Sequence, residues 1–189
     1  MKAYNRADAI WVYTPQKIRS IPSEMKPLQP PDTFFVEAAR GWLELGNPAE
    51  AQNELQKVQA RRREHPEVLE VVWQICARSG DWERAVELAA RIVKLAPQRA
   101  YGYIHKAFAL HELKRTQEAW ELLFAAAESF PADPTIKYNL ACYGAQLGRL
   151  WEAEQWLKLA FKTGHEKDLR SLAAQDPDLK PLWAKIKQM

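Results

Sequence analysis

Alanine returns every 34 residues through the middle of this chain, at Ala51, Ala85, Ala119 and Ala153. A fixed period of that length marks a helical hairpin repeated along the chain, because each unit must bury its apolar face against the next. A second ladder keeps the same phase: Gly46, Gly80, Lys114 and Gly148. Glycine suits the left-handed conformation that ends a helix, since it has no Cβ to clash. Lys114 breaks the series and is expected to cost a little there. A third, partial ladder, Pro97 and Pro131, would stop the second helix of two units, and Arg63 and His165 hold the matching places in the outer ones.

Within each unit the apolar residues recur at helical spacing. Tyr103, Ala107, Leu110 and Leu113 form one stripe, and Ala119, Leu122, Leu123 and Ala126 form the next. Segments this short are marginal alone in water and must pack on neighbours. Asp81 and Thr116 stand where N-caps should open second helices, and Pro48 and Pro134 stand near first turns, where proline is tolerated. The spacing predicts helices over 33–45, 48–63, 66–79, 82–95, 100–113, 116–130, 134–147 and 150–163, and no strand.

The unit resembles the tetratricopeptide repeat of bacterial type. The matching stretches are 34–55, 68–97, 101–131 and 137–161, with YNLACYGAQLGRLWEAEQWL the strongest. In repeat two, Trp73 takes the tight crossing place that Ala39, Ala107 and Ala141 fill elsewhere, while Cys76 and Ala89 are small where bulk is usual. This reads as a volume swap. The resemblance implies an all-α, right-handed α-solenoid of antiparallel helix pairs. The organisation expected is a proline-containing arm over 1–31, four 34-residue repeats over 32–165 and a C-terminal capping segment over 166–189.

The arm contains Pro15, Pro22, Pro27, Pro30 and Pro31, so a long helix is excluded over much of it. It also holds an apolar cluster, Ile10, Trp11, Val12 and Tyr13, unlike the composition of a disordered tail. The expectation is that it docks on its own repeats. At the other end, 166–175 reads as a helix covering the face that repeat four leaves open. Leu179, Leu182, Trp183 and Ile186 would join the same seam.

Charge narrows the partner class. The net charge of +3 is spread as +3 over 1–31, −3 over 32–133 (thirteen basic against sixteen acidic residues) and +3 over 134–189. This is not the concentrated basic stripe of a nucleic-acid binder. Arg61, Arg62 and Arg63 make the one basic triplet, placed at a helix C-terminus where cations offset the dipole. Two cysteines without close spacing argue against zinc and against a disulfide framework. No apolar run is long enough to span a bilayer, and no apolar stretch follows a basic head at the start. A cytoplasmic protein without membrane contact is expected.

In the family, first helices line a concave groove that holds a partner segment. Carried over by register, repeat one supplies Val36, Arg40 and Leu43, and repeat two supplies Glu70, Gln74 and Ala77. Repeat three supplies Tyr101, Ile104, His105, Phe108 and His111, and repeat four supplies Thr135, Tyr138, Asn139, Cys142 and Gln146. The chaperone-tail clamp of one subclass does not fit, because Asn139 is the only asparagine among these places and Val36 and Val71 stand where polar groups are needed.

Catalysis has little support: there is no GxSxG serine and no glycine-rich phosphate loop. His105 and His111 lie on different helix faces and make no metal pair. Cys142 near His111 is the one arrangement that could serve as a nucleophile pair. Trp42, Trp82, Trp120, Trp151 and Trp156 fall at packing places. The reading is therefore a non-enzymatic adaptor without cofactor or metal, monomeric or weakly dimeric, holding a protein or peptide segment in its groove. The alternative is a self-associating structural protein whose groove is filled by its own or a sister chain's arm. The acidic Glu37, Glu44, Glu67 and Glu70 could receive the basic Lys17–Lys26 stretch.

Overall fold

The turn ladder shows most directly why this sequence folds as helix pairs. Gly46, Gly80 and Gly148 take φ values of 75°, 74° and 77°, and Lys114, in the same register, takes 64°. All four turns are left-handed, as the glycine ladder requires, and a Cβ on Gly46 or Gly148 would meet nothing. The penalty for Lys114 is therefore conformational rather than steric contact. Replacing Lys114 with glycine is expected to stabilise the fold by about 0.5–1 kcal/mol, and Gly148→Ala to destabilise it by about 1 kcal/mol. Urea melts of both variants check this, and an unchanged midpoint for Lys114→Gly would show that the turn carries no strain.

The computed structural model describes residues 27–188. Among them the helices are α1 (Asp32–Glu44), α2 (Pro48–Gln56), α3 (Pro66–Ser79), α4 (Trp82–Leu95) and α5 (Ala100–Glu112). There follow α6 (Thr116–Ser129), α7 (Pro134–Gln146), α8 (Leu150–Thr163), α9 (Glu166–Ala173) and α10 (Trp183–Ile186). Short 3-10 turns cover Ala60–Arg62 and Pro177–Leu182, and no strand occurs among the described residues. The fold is all-α. No helix of this region is long and apolar enough to cross a membrane.

The chain divides into two compact units, with the boundary between Ala109 and Leu110, inside α5. In the N-terminal unit α1 packs on α2 and α3, and α3 packs on α2 and α4. Its core includes Val36, Ala39, Leu43, Ala51, Leu55, Val68 and Val71. Leu28, from the end of the arm, is buried in the same cluster. The apolar cluster Ile10–Tyr13 and the Lys17–Lys26 stretch lie outside the described residues. In the C-terminal unit α7 packs between α6 and α8, and α9 and the Pro177–Leu182 turn close over α8 and α7. The four ladder alanines are all fully buried.

Helix starts follow the capping residues. Asn47 accepts from the Glu50 N–H, Asp81 from Arg84, and Asp133 from Thr135 and Ile136. Proline opens α2, α3 and α7, where its missing N–H has no helical partner to lose. Thr116 is not the cap expected of it. It is the first helical residue, Arg115 holds the cap place without a side-chain bond to the helix's free N–H groups, and the Thr116 hydroxyl pairs with His111 instead.

The second helix of repeat one is shorter than expected, ending at Gln56 rather than near residue 63. The chain leaves the helix to bury Val58, which is 1% exposed. The carbonyls freed at Gln56 and Val58 are then taken by the Arg63 guanidinium at 2.7 and 3.1 Å, while Asp32 accepts from the Gln59 N–H at 2.9 Å. Arg63 thus acts at a helix C-terminus, by capping carbonyls directly.

Candidate functional site

In the N-terminal unit the first helices α1, α3 and α5 bring together Arg40, Glu70, Tyr101 and His105. The Arg40 guanidinium pairs with Glu70 across two helices at 3.2 Å and lies 3.9 Å from Glu37. Burial opposes the charge on Arg40, but Glu70 and Glu37 outweigh it and the pKa rises. Tyr101 is half-buried beside this pair, with Arg99 over its ring at 5.7 Å. Burial, with the Glu70 charge adding to it, pushes the phenol up to about 12.

Behind this polar group lies an aromatic stack. The His105 ring lies parallel to Trp73 at 4.0 Å between centroids, and Tyr101 meets it edge-on at 5.8 Å. Phe108 makes edge contacts to both Trp73 and Trp82. His105, Ile104 and Phe108 are at most 1% exposed, and Gln74 is 5% exposed. Burial lowers the His105 pKa to about 4, so the ring is neutral near pH 7. Trp73, Cys76 and Ala89 are all buried, as a volume swap demands. Of the sequence candidates in this unit, Arg40, Glu70 and Tyr101 keep accessible surface, whereas Gln74, Ile104, His105 and Phe108 belong to the interior.

The C-terminal unit treats its candidates differently. Tyr138 donates to the Asp176 carboxylate at 3.0 Å, and the Cys142 thiol donates to the same oxygen at 3.5 Å. The other Asp176 oxygen accepts the Asp178 N–H, which starts the Pro177–Leu182 turn. His111 Nε2 lies 3.2 Å from the Asp178 carboxylate, its Nδ1 lies 2.9 Å from the Thr116 hydroxyl, and its ring stacks on Tyr143. The Gln146 amide donates to the Asp178 carbonyl at 2.9 Å. Asn139 turns back on its own helix, donating to the Thr135 carbonyl. Tyr138, Cys142 and His111 are thus buried against the chain's own C-terminal turn, Asn139 is buried on its own helix, and Gln146 alone of these stays exposed.

Cys142, Asp176 and Asp178 place a thiol and two carboxylates within 4.8 Å of one another, a donor set able to hold a cation. Asp176 nevertheless spends both oxygens on protein donors, so the arrangement works as a clasp for the C-terminal turn. Cys142 is 1% exposed, which does not fit the accessible thiol that nucleophilic catalysis needs.

The sequence did not mark one further surface. On α6 and α8, Trp120 stacks on Phe124 at 4.7 Å, and Phe124 meets Trp156 edge-on at 6.1 Å. The Arg149 guanidinium sits 4.5 Å over Trp120 and bonds Gln117. Phe124 is 52% exposed and Trp151 is 72% exposed. Trp151 is therefore not the packing residue expected. Its register held the signal: Ala153, Leu157 and Ala160 set the buried stripe of α8, and Trp151 lies about 200° away from Ala153 around the helix.

No protein-family model matches the chain, and no curated protein matches it. Solved structures do. "MamA 41-end from Desulfovibrio magneticus RS-1" aligns with a TM-score of 0.62 at 21% identity, covering 86% of this chain and 96% of that one. "MamA RS-1 ArsTM double mutant" gives 0.62 at 20% identity, with the same coverage. "MamA MSR-1 C2" gives 0.56 at 18% identity, covering 83% and 95%. Identities this low speak to architecture alone, and the architecture is an all-α solenoid of the tetratricopeptide type, made of antiparallel helix pairs.

Proposed function

We propose that this chain is a non-enzymatic scaffold of the cytoplasm, built of four 34-residue repeats and a C-terminal cap, that holds a segment of another protein. The observation that carries the reading is the difference between the two sets of first-helix residues. Those of the C-terminal unit are already occupied by the chain's own Asp176–Asp178 turn. Those of the N-terminal unit, Arg40, Glu70 and Tyr101, keep polar and aromatic surface open. A partly exposed tyrosine ring beside an arginine is the kind of anchor on which binding energy concentrates. The pairing of Arg40 with Glu70 favours a segment that offers both a donor and an acceptor, such as extended backbone flanked by polar side chains.

The test is crosslinking capture from the native cell with the wild-type chain and with Tyr101→Ala and Arg40→Glu, followed by titration of the purified partner. Each variant is expected to weaken binding by about tenfold, the usual effect of losing one anchor of roughly 1.4 kcal/mol. A partner that binds both variants as tightly as wild type would overturn the assignment of this face.

A further inference from the structure

The face built by Arg40, Glu70 and Tyr101 carries more acid than its bases neutralise. Arg40 pairs with Glu70, lies 3.9 Å from Glu37 and also feels the charge of Glu67. Three carboxylates therefore share one guanidinium. Glu44, one turn beyond Arg40 on the same side of α1, is exposed and adds to the excess. Arg99, over the Tyr101 ring, returns only one positive charge. Charge complementarity selects a basic segment for such a face.

A segment of that kind stands just before the face in the chain. Residues 17–26, KIRSIPSEMK, hold Lys17, Arg19 and Lys26 against Glu24 alone. Pro22 and Pro27 oppose a helix there and bias Ile21 and Lys26, the residues before them, to extended backbone. Extended backbone sets residues two apart, such as Lys17 and Arg19, on one side.

The tether is short. Leu28 is buried in the same cluster as Val36, which precedes Arg40 by one turn of α1. Arg19 stands nine positions before Leu28. That length of extended chain spans about 30 Å, whereas Val36 and Arg40 are only about 6 Å apart along the helix axis. A tether of this range gives an effective concentration on the order of millimolar. A second copy in dilute solution cannot match it, so the occupant belongs to the same molecule.

We propose that residues 17–26 occupy the Arg40–Glu70–Tyr101 face of their own chain, with Lys17 and Arg19 against Glu37, Glu67 and Glu70, until a partner displaces them. This rests on the reading that the face takes a protein segment, and it makes the arm a built-in competitor for that segment.

A synthetic peptide of residues 15–27 tests this, titrated calorimetrically into the full chain. In wild type the peptide must displace the arm; in Lys17→Glu/Arg19→Glu the arm is repelled and the face stands open. The double variant is expected to bind the peptide about tenfold tighter than wild type, the factor a millimolar tether gives against a peptide of about 0.1 mM affinity. Adding Glu37→Lys, at an exposed position, is expected to weaken peptide binding to the double variant several-fold. Peptide affinity for the double variant no higher than for wild type, absent binding included, overturns the proposal. So does binding indifferent to Glu37→Lys. Sedimentation equilibrium is expected to give 21.8 kDa for both proteins. A mass that rises with concentration in wild type but not in the double variant would put the arm on a sister chain and overturn the intramolecular contact. The partner assignment fails separately: a partner indifferent to Tyr101→Ala and Arg40→Glu would leave the peptide results standing.

Discussion

Leucine in place of Ala153 is expected to cost the C-terminal unit about 3 kcal/mol, at the upper end of overpacking penalties. The reason is how closely two helices approach. A Cβ built on Gly144 of α7 would lie 3.3 Å from the Ala153 Cβ, 3.5 Å from its Cα and 3.6 Å from its backbone nitrogen. Helix α7 therefore meets α8 almost backbone to backbone, and a leucine at 153 has to push α7 away or leave its rotamer. Either change disturbs Leu140, Ala141 and Leu157, all fully buried. Denaturant unfolding checks this, with Leu159→Ala on the exposed side of the same helix as a control expected to fall within about 0.5 kcal/mol of wild type. Wild-type stability for Ala153→Leu would show that the crossing is looser than this geometry.

Acid is expected to destabilise the N-terminal unit through His105. Its pKa falls from 6.5 to about 4, chiefly because burial penalises the charged ring; Arg40 adds to the effect and Glu70 opposes it. The unfolded chain therefore binds more protons than the folded one between those two values, so the neutral ring's contribution is complete above pH 6.5 and is lost as pH falls toward 4. The integrated loss is about 3 kcal/mol by proton linkage. Carboxylates titrate in the same window, so the informative quantity is the difference between wild type and His105→Phe. Phenylalanine keeps the stack on Trp73 and removes the titration. Stability measured at pH 4.5 and pH 7 is expected to fall markedly less in the variant. Parallel losses in both proteins would show that His105 charges without cost.

The 34-residue ladders made the helix pairs legible because their causes are local. A left-handed turn, a capping side chain and an N-terminal proline act within four residues, so the sequence alone placed α3, α4 and α8 correctly. Even Lys114 was readable, since its register demanded a positive φ whatever its side chain. The end of α2 was not readable, because the buried Val58, Arg63 and Asp32 arrangement that ends it is tertiary.

The same division runs through the candidate residues. Helical register assigned Tyr101, His105, Tyr138 and Cys142 to first-helix faces, but register cannot say what covers a face. Cover is decided by segments distant in sequence: Asp176 reaches Cys142 and Tyr138 across 34 and 38 positions. Trp151 shows the converse, a large apolar side chain expected at a packing place that the fold leaves 72% exposed. By itself the sequence determined the repeat, its turns and the helices, because backbone conformation answers to near neighbours. Only the tertiary structure decided which side chains meet solvent, because burial depends on contacts made after the chain has closed on itself.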